Sequence, residues 1–96
     1  MIEHTVTFRL AHEPGSVEEV EFLFAAGHLD SIPEVQDFCI RRQVSEKNPH
    51  TLYISMKFAT QEDYDQYCNH PLHLQFLEDR WFKEVVDFQE ADFVDL

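Results

Sequence analysis

The first ten residues, MIEHTVTFRL, alternate between two sides. Ile2, His4, Val6, Phe8 and Leu10 fall on one, and Glu3, Thr5, Thr7 and Arg9 on the other. A period of two marks a strand with one buried face. The period then changes. After the turn residues AHEPGS, Ser16 and Glu19 stand at capping-box spacing, and apolar positions recur every three or four residues toward Ser31. This predicted helix carries two apolar stripes: Phe22, Ala25, Ala26 and Leu29 on one side, and Val20, Leu23 and Phe24 on the other. One stripe packs on a sheet, and the second calls for burial on both sides or a contact with another subunit. Pro33 ends the helix.

Alternation resumes in EVQDFCIRRQV, a second predicted strand with Phe38, Ile40 and Val44 on one face. The polar turn SEKNPH leads to a third, TLYISMKFA, which points Leu52, Ile54, Met56 and Phe58 inward. Thr60 then caps a short helix, TQEDYDQYCN. Pro71 breaks it and opens another, PLHLQFLEDRWFKEVV, with Leu74, Leu77, Trp81 and Val85 at helical spacing. DFQEADFVDL closes the chain as a weaker strand. The order βαββαβ predicts one α+β domain over residues 1–96, a ferredoxin-like plait whose four-stranded antiparallel sheet carries helices on one face. Thr5, Thr7, Tyr53, Ser55 and Lys57 then lie on the other face. A second copy of the chain, packed sheet to sheet in a symmetric dimer, is the economical cover for it.

Composition narrows the partners. The net charge is −12, from 19 acidic and seven basic residues. Only Arg41 and Arg42 are adjacent cations, so neither a nucleic-acid backbone nor an anionic membrane finds a counter-surface. No apolar run approaches a membrane span, and no basic-then-apolar leader is evident. Cys39 and Cys68 match neither a disulfide framework nor a thiolate metal motif, which suits reduced thiols in a cytoplasmic protein. Nine phenylalanines, three tyrosines and one tryptophan make the apolar content strongly aromatic, fit for a core or for a pocket holding a small apolar or aromatic metabolite.

Candidate chemistry concentrates in YCNHPLH, residues 67–73. With Pro71 at the first helical position, His70 becomes the N-cap and His73 lies in the first turn, where the positive end of the helix disfavours an imidazolium. A neutral His73 can accept a proton. Tyr67, on the preceding helix, can donate its hydroxyl to a carbonyl or enolate oxygen. His4, in phase with Val6 and Phe8, shares their buried face and needs a partner, for which His73 and Tyr67 are candidates. Helix-junction geometry alone also accounts for the motif. His70 and His73 are near neighbours on a helix, but no carboxylate or cysteine completes a ligand set, so no metal and no other cofactor is expected. His28 and His50 read as helix-surface and turn residues, and QEDYDQ as a solvated helix start.

Three stretches carry a family resemblance over nearly the whole chain. MIEHTVTFRL, with histidine in fourth place, SIPEVQDF with its Ile-Pro step, and YCNHPLHLQF with its Tyr-x-x-His-Pro-x-His-x-x-Phe pattern resemble the stress-responsive dimeric α/β-barrel family. That resemblance implies two plaits packed as a dimeric α/β barrel, each with a pocket between curved sheet and helices. It places Val6, Phe8, Phe22, Phe38, Leu52, Ile54, Met56, Phe76 and Trp81 as candidate substrate-binding residues. In a polyketide-cyclising plant member of the family, a catalytic tyrosine and histidine take the places of Tyr67 and His73, and a pocket histidine that of His4. A further pocket histidine of that enzyme falls on Leu52 here, so its substrate does not carry over. The expectation is His/Tyr acid–base chemistry on a small carbonyl compound, a polyketide-like aldol cyclisation or isomerisation. The alternative is a non-catalytic ligand-binding or stress-response protein.

Overall fold

The computed structural model describes residues 1–96. In chain order it contains β1 (Ile2–Leu10), α1 (Val17–Gly27) with a 3-10 turn at His28–Ser31, β2 (Gln36–Arg42) and β3 (Leu52–Phe58). These are followed by α2 (Gln61–Asn69), α3 (Pro71–Phe76), a π turn at Leu77–Trp81, α4 (Phe82–Glu84) and β4 (Val85–Phe93). All strands join one antiparallel sheet in the order β2-β3-β1-β4. This is the expected ferredoxin-like plait, with the first and third strands central.

The alternation of β1 and β3 sets the core. Val6, Phe8, Leu10, Leu52, Ile54, Met56 and Phe58 are buried against Phe22, Ala26 and Leu29 of the first helical segment and Phe76 and Trp81 of the last. The Phe8 ring lies 5.7 Å from Phe22 and 4.9 Å from Trp81, centre to centre, distances at which tilted aromatic pairs attract beyond their buried area. On the opposite face lie Thr5, Thr7, Tyr53, Ser55 and Lys57, in register with one another across β1 and β3.

Helix starts follow the sequence signals. Ser16 Oγ accepts from the Glu19 amide at 3.2 Å, Thr60 Oγ1 from the Asp63 amide at 3.1 Å, and His70 Nδ1 from the Leu72 amide at 3.1 Å. The box at α1 closes differently from the usual pattern. The Glu19 carboxylate reaches the Gly15 amide at 2.9 Å and takes a two-pronged bond from Arg42 on β2, at 2.6 and 2.9 Å. Gly15 has φ +82°, a conformation that L side chains adopt only under strain.

Within the chain the second stripe of α1 is covered only at Leu23, while Val20 and Phe24 face solvent, available for the contact with another subunit. Three expectations need correction. β2 stops at Arg42, leaving Val44 exposed, and its ladder with β3 is broken by a register shift between Gln36 and Cys39, where Asp37 takes φ +50°. The last helical stretch is not one regular helix. At its π turn the Phe82 amide reaches back to the Leu77 carbonyl, and the widened turn brings Phe76 and Trp81, five apart in sequence, onto one buried side while Leu74 stays half exposed. Strand β4 therefore begins at Val85. Finally, His50 is no turn residue in solvent. It is buried, with Nδ1 2.8 Å from Thr7 Oγ1 and Nε2 2.9 Å from Asp87 Oδ2, fastening the β2–β3 loop to β1 and β4.

Candidate active site

A cavity of about 220 Å3 opens between the helical side of the sheet and the α2–α4 segment. Apolar walls come from Val6 on β1, Ile54 and Met56 on β3, and Phe76 and Trp81 beside the π turn. Besides the Trp81 indole, four side chains bring polar atoms: His4, Tyr67, His73 and Glu90. The α2–α3 junction positions two of them. With α2 ending at Asn69 and Pro71 opening α3, the Tyr67 and His73 rings face each other at 4.5 Å between centres. The His4 ring stands 6.4 Å from Tyr67.

Hydrogen bonds fix the tautomers. His73 Nδ1 lies 2.9 Å from the Cys68 carbonyl, which only accepts, so Nδ1 carries the proton and Nε2 the lone pair. His4 Nδ1 is 2.7 Å from Asp92 Oδ1 and 2.8 Å from the Tyr64 hydroxyl, and that hydroxyl donates to Asp92 Oδ2 at 2.9 Å. With a carboxylate on Nδ1, that nitrogen carries a proton, and in the neutral ring Nε2 holds the lone pair. Neither Nε2 nor the Tyr67 hydroxyl has a partner in the chain. No fully buried side-chain polar atom is left unpaired anywhere. These three atoms are therefore reachable, and the space they share is the cavity that their residues line.

Electrostatics set what each group can do. Burial lowers the His73 pKa below the ordinary 6.5, opposed by the Cys68 carbonyl and by the Glu90 charge. Desolvation leads here, where the sequence pointed to the helix dipole. Burial raises the Tyr67 pKa, with Glu90 and Cys68 adding to it, so the phenol keeps its proton and acts as a donor. Tyr64 is held up in the same way by burial and by Asp92, and burial raises the Cys68 thiol.

Of the residues expected to line a pocket, Val6, Ile54, Met56, Phe76 and Trp81 do so, together with His4, Tyr67 and His73. Phe8, Phe22 and Leu52 do not. They are sealed in the core, because their rings and methyls fill the space between sheet and α1. Phe38 sits half-buried on the edge strand β2, beyond the cavity's reach. Sequence reasoning missed Tyr64, Glu90 and Asp92. Tyr64 lies one turn before Tyr67 on α2, a spacing that was visible. Glu90 and Asp92 enter only through the β1–β4 register, which sets Val6 opposite Glu90 and His4 opposite Asp92. His70 stays at its cap, and no three His, Cys, Asp or Glu side chains gather closely enough to hold a metal ion.

Fold and site together define a class: a ferredoxin-like plait with a small, mainly apolar cavity under its helices, edged by histidine and tyrosine. The chain belongs to the stress responsive A/B barrel domain family, whose model matches residues 2–95. A search of curated proteins finds no match. Among solved structures, a Dabb family protein with a ferredoxin-like fold from Mesorhizobium loti is 44% identical. It aligns over 99% of this chain and 96% of its own, with a TM-score of 0.96. A dimeric ferredoxin-like protein of unknown function from Thermobifida fusca is 18% identical over 98% of this chain and 90% of its own, with a TM-score of 0.82. The hydroxynitrile lyase of Passiflora edulis is 15% identical over 99% of this chain and 93% of its own, with a TM-score of 0.85. The last two show a shared fold.

Proposed function

We propose that the cavity takes a small carbonyl compound and removes a proton from the carbon beside its carbonyl, as in a polyketide-like aldol cyclisation or an isomerisation. His73 is the base, receiving the proton at Nε2. Tyr67 donates its hydroxyl to the oxygen as enolate charge grows there, and His4 completes the polar edge and holds the substrate against it. One observation carries the reading: two tautomer-fixed imidazoles and one protonated phenol open on the same apolar cavity. A base is most effective when unprotonated at the working pH, and the lowered pKa of His73 serves that requirement. A preorganised donor in a poorly hydrated site stabilises developing oxyanion charge more than water does. A hydroxynitrile lyase of the same fold supports a catalytic reading of the cavity.

The working unit in this proposal is a homodimer in the cytoplasm, formed through the open sheet face. Two solved structures of the same fold are described as dimeric. Each cavity lies on the helical side of its own sheet, so such a dimer leaves both accessible. Turnover of β-polyketone or enol-lactone substrates tests the chemistry. Wild type should convert them, and His73→Ala and Tyr67→Phe should lose most of that rate. Equal activity in both variants defeats the assignment. Saturable binding with no conversion in wild type marks the protein as a ligand-binding module instead.

A further inference from the structure

The charge around the cavity restricts what it can hold. This step rests on the carbonyl-binding reading above and extends it to the substrate's class. Glu90 is the only charged residue lining the cavity. It sits opposite Val6 in the β1–β4 ladder, on the helical side of the sheet, and its side chain is exposed, which puts the carboxylate at the cavity mouth. Its field reaches both catalytic candidates, since Tyr67 and His73 each respond to it. Asp92, two residues on and therefore on the same face, adds a second carboxylate.

No lysine or arginine answers them. Arg42 is bound to Glu19 and Arg80 to Glu84. Lys57 lies beside Asp37 at 3.7 Å, and the strand register turns Arg9 and Arg41 to the open sheet face. Lys47 belongs to the β2–β3 loop and Lys83 to α4, and neither lines the cavity. A ligand carboxylate or phosphate entering here meets like charge at the mouth and no cation within, and burying it unpaired is costly. At about 220 Å3 the space is also smaller than the roughly 300–1,000 Å3 typical of sites for drug-sized ligands, so it suits a molecule of one ring.

We infer that this pocket selects uncharged or amine-bearing carbonyl compounds and rejects carboxylates and phosphates, with Glu90 as the residue that sets the discrimination. A long anionic carrier such as a phosphorylated thioester has no anchoring cation at the mouth. The free, small carbonyl compound is the species bound.

Three ring ketones of matched size test this by calorimetry or NMR titration at pH 7.5: 4-acetylbenzamide, 4-acetylbenzoate and 4-(aminomethyl)acetophenone. Wild type should bind the amide and the amine at least about tenfold more tightly than the carboxylate, a difference that one carboxylate at short range in a partly desolvated site supplies. Glu90→Gln should narrow the amide-to-carboxylate gap severalfold and weaken the amine, with the amide the least affected of the three. Equal affinity of wild type for amide and carboxylate overturns the inference, as does a Glu90→Gln variant with all ratios preserved. In both of those results the ketone ring still binds, so the carbonyl-site reading survives. Failure of all three probes to bind overturns that reading and this inference together.

Discussion

His4 Nδ1 lies 2.7 Å from the Asp92 carboxylate across the β1–β4 ladder, and the Tyr64 hydroxyl joins the two. A residue on the first strand is thus oriented by one near the end of the chain. The contact aims His4 Nε2 into the cavity and fixes which nitrogen carries the proton. Asp92→Asn removes the negative acceptor, frees the ring to turn and permits the other tautomer. Affinity for a neutral ketone should fall severalfold and turnover by about tenfold or more while the thermal midpoint changes little, a combination that a general loss of folding would not produce. Tyr64→Phe, which leaves the carboxylate in place, should cost less.

The pH dependence has a defined sign. Burial depresses the His73 pKa below the 6.5 of an unfolded histidine. Its contribution to stability is therefore present above pH 6.5 and is lost as pH falls through the depressed folded value, because the unfolded chain takes up the proton more readily. The acidic limb of activity should likewise lie below 6.5. An NMR titration of the His73 ring checks both, and a midpoint at or above 6.5 contradicts the burial argument.

Glu19 is buried to 3% exposure and paired with Arg42, which remains 41% exposed. The Arg42 bond lowers the Glu19 pKa, while burial opposes it. Arg42→Ala should destabilise the fold by about 1–2 kcal/mol at neutral pH, discounted for the solvent around the guanidinium. A depressed carboxylate pKa places this stabilisation above the unfolded value of 4.5, and it disappears as pH falls through the folded value. Urea denaturation of wild type and variant at pH 7 and at pH 3 should show the gap closing.

His50 lies on the other side of the sheet, bonded to Thr7 and Asp87. His50→Ala strips the half-buried Thr7 hydroxyl of its partner and unfastens the β2–β3 loop, with an expected cost of about 1–3 kcal/mol. Ketone affinity in the cavity should not change, since the sheet separates the two sites. A thermal melt and a binding titration on the same sample read both.

The sequence held more of the fold than of the site, for a physical reason. Alternation in β1 and β3 reports burial directly, so Val6, Phe8, Ile54 and Met56 were placed on the right face without any knowledge of pairing. Caps at Ser16, Thr60 and His70 are local and were legible for the same reason. The π turn was hidden, because the spacing of Leu74, Leu77, Trp81 and Val85 fits a regular helix and the chain has no local signal for the widened turn that makes Phe76 the buried residue. Glu90 and Asp92 were hidden more deeply. Their place beside Val6 and His4 is a property of strand register, which depends on residues more than eighty positions away. Phe8, Phe22 and Leu52 show the converse limit: apolar character marks a residue for burial but does not tell a cavity wall from a filled core.

Deuterium exchange at the carbon between the carbonyls of pentane-2,4-dione, followed by NMR in heavy water, tests proton abstraction without presuming a natural substrate. Wild type should accelerate exchange above the buffer rate in a saturable way. His73→Gln should return it to background, and Tyr67→Phe should slow it by roughly 10²-fold, as expected when an oxyanion donor is lost. Exchange at the buffer rate in wild type, or full acceleration in His73→Gln, would contradict the assignment of this cavity as a site of proton transfer.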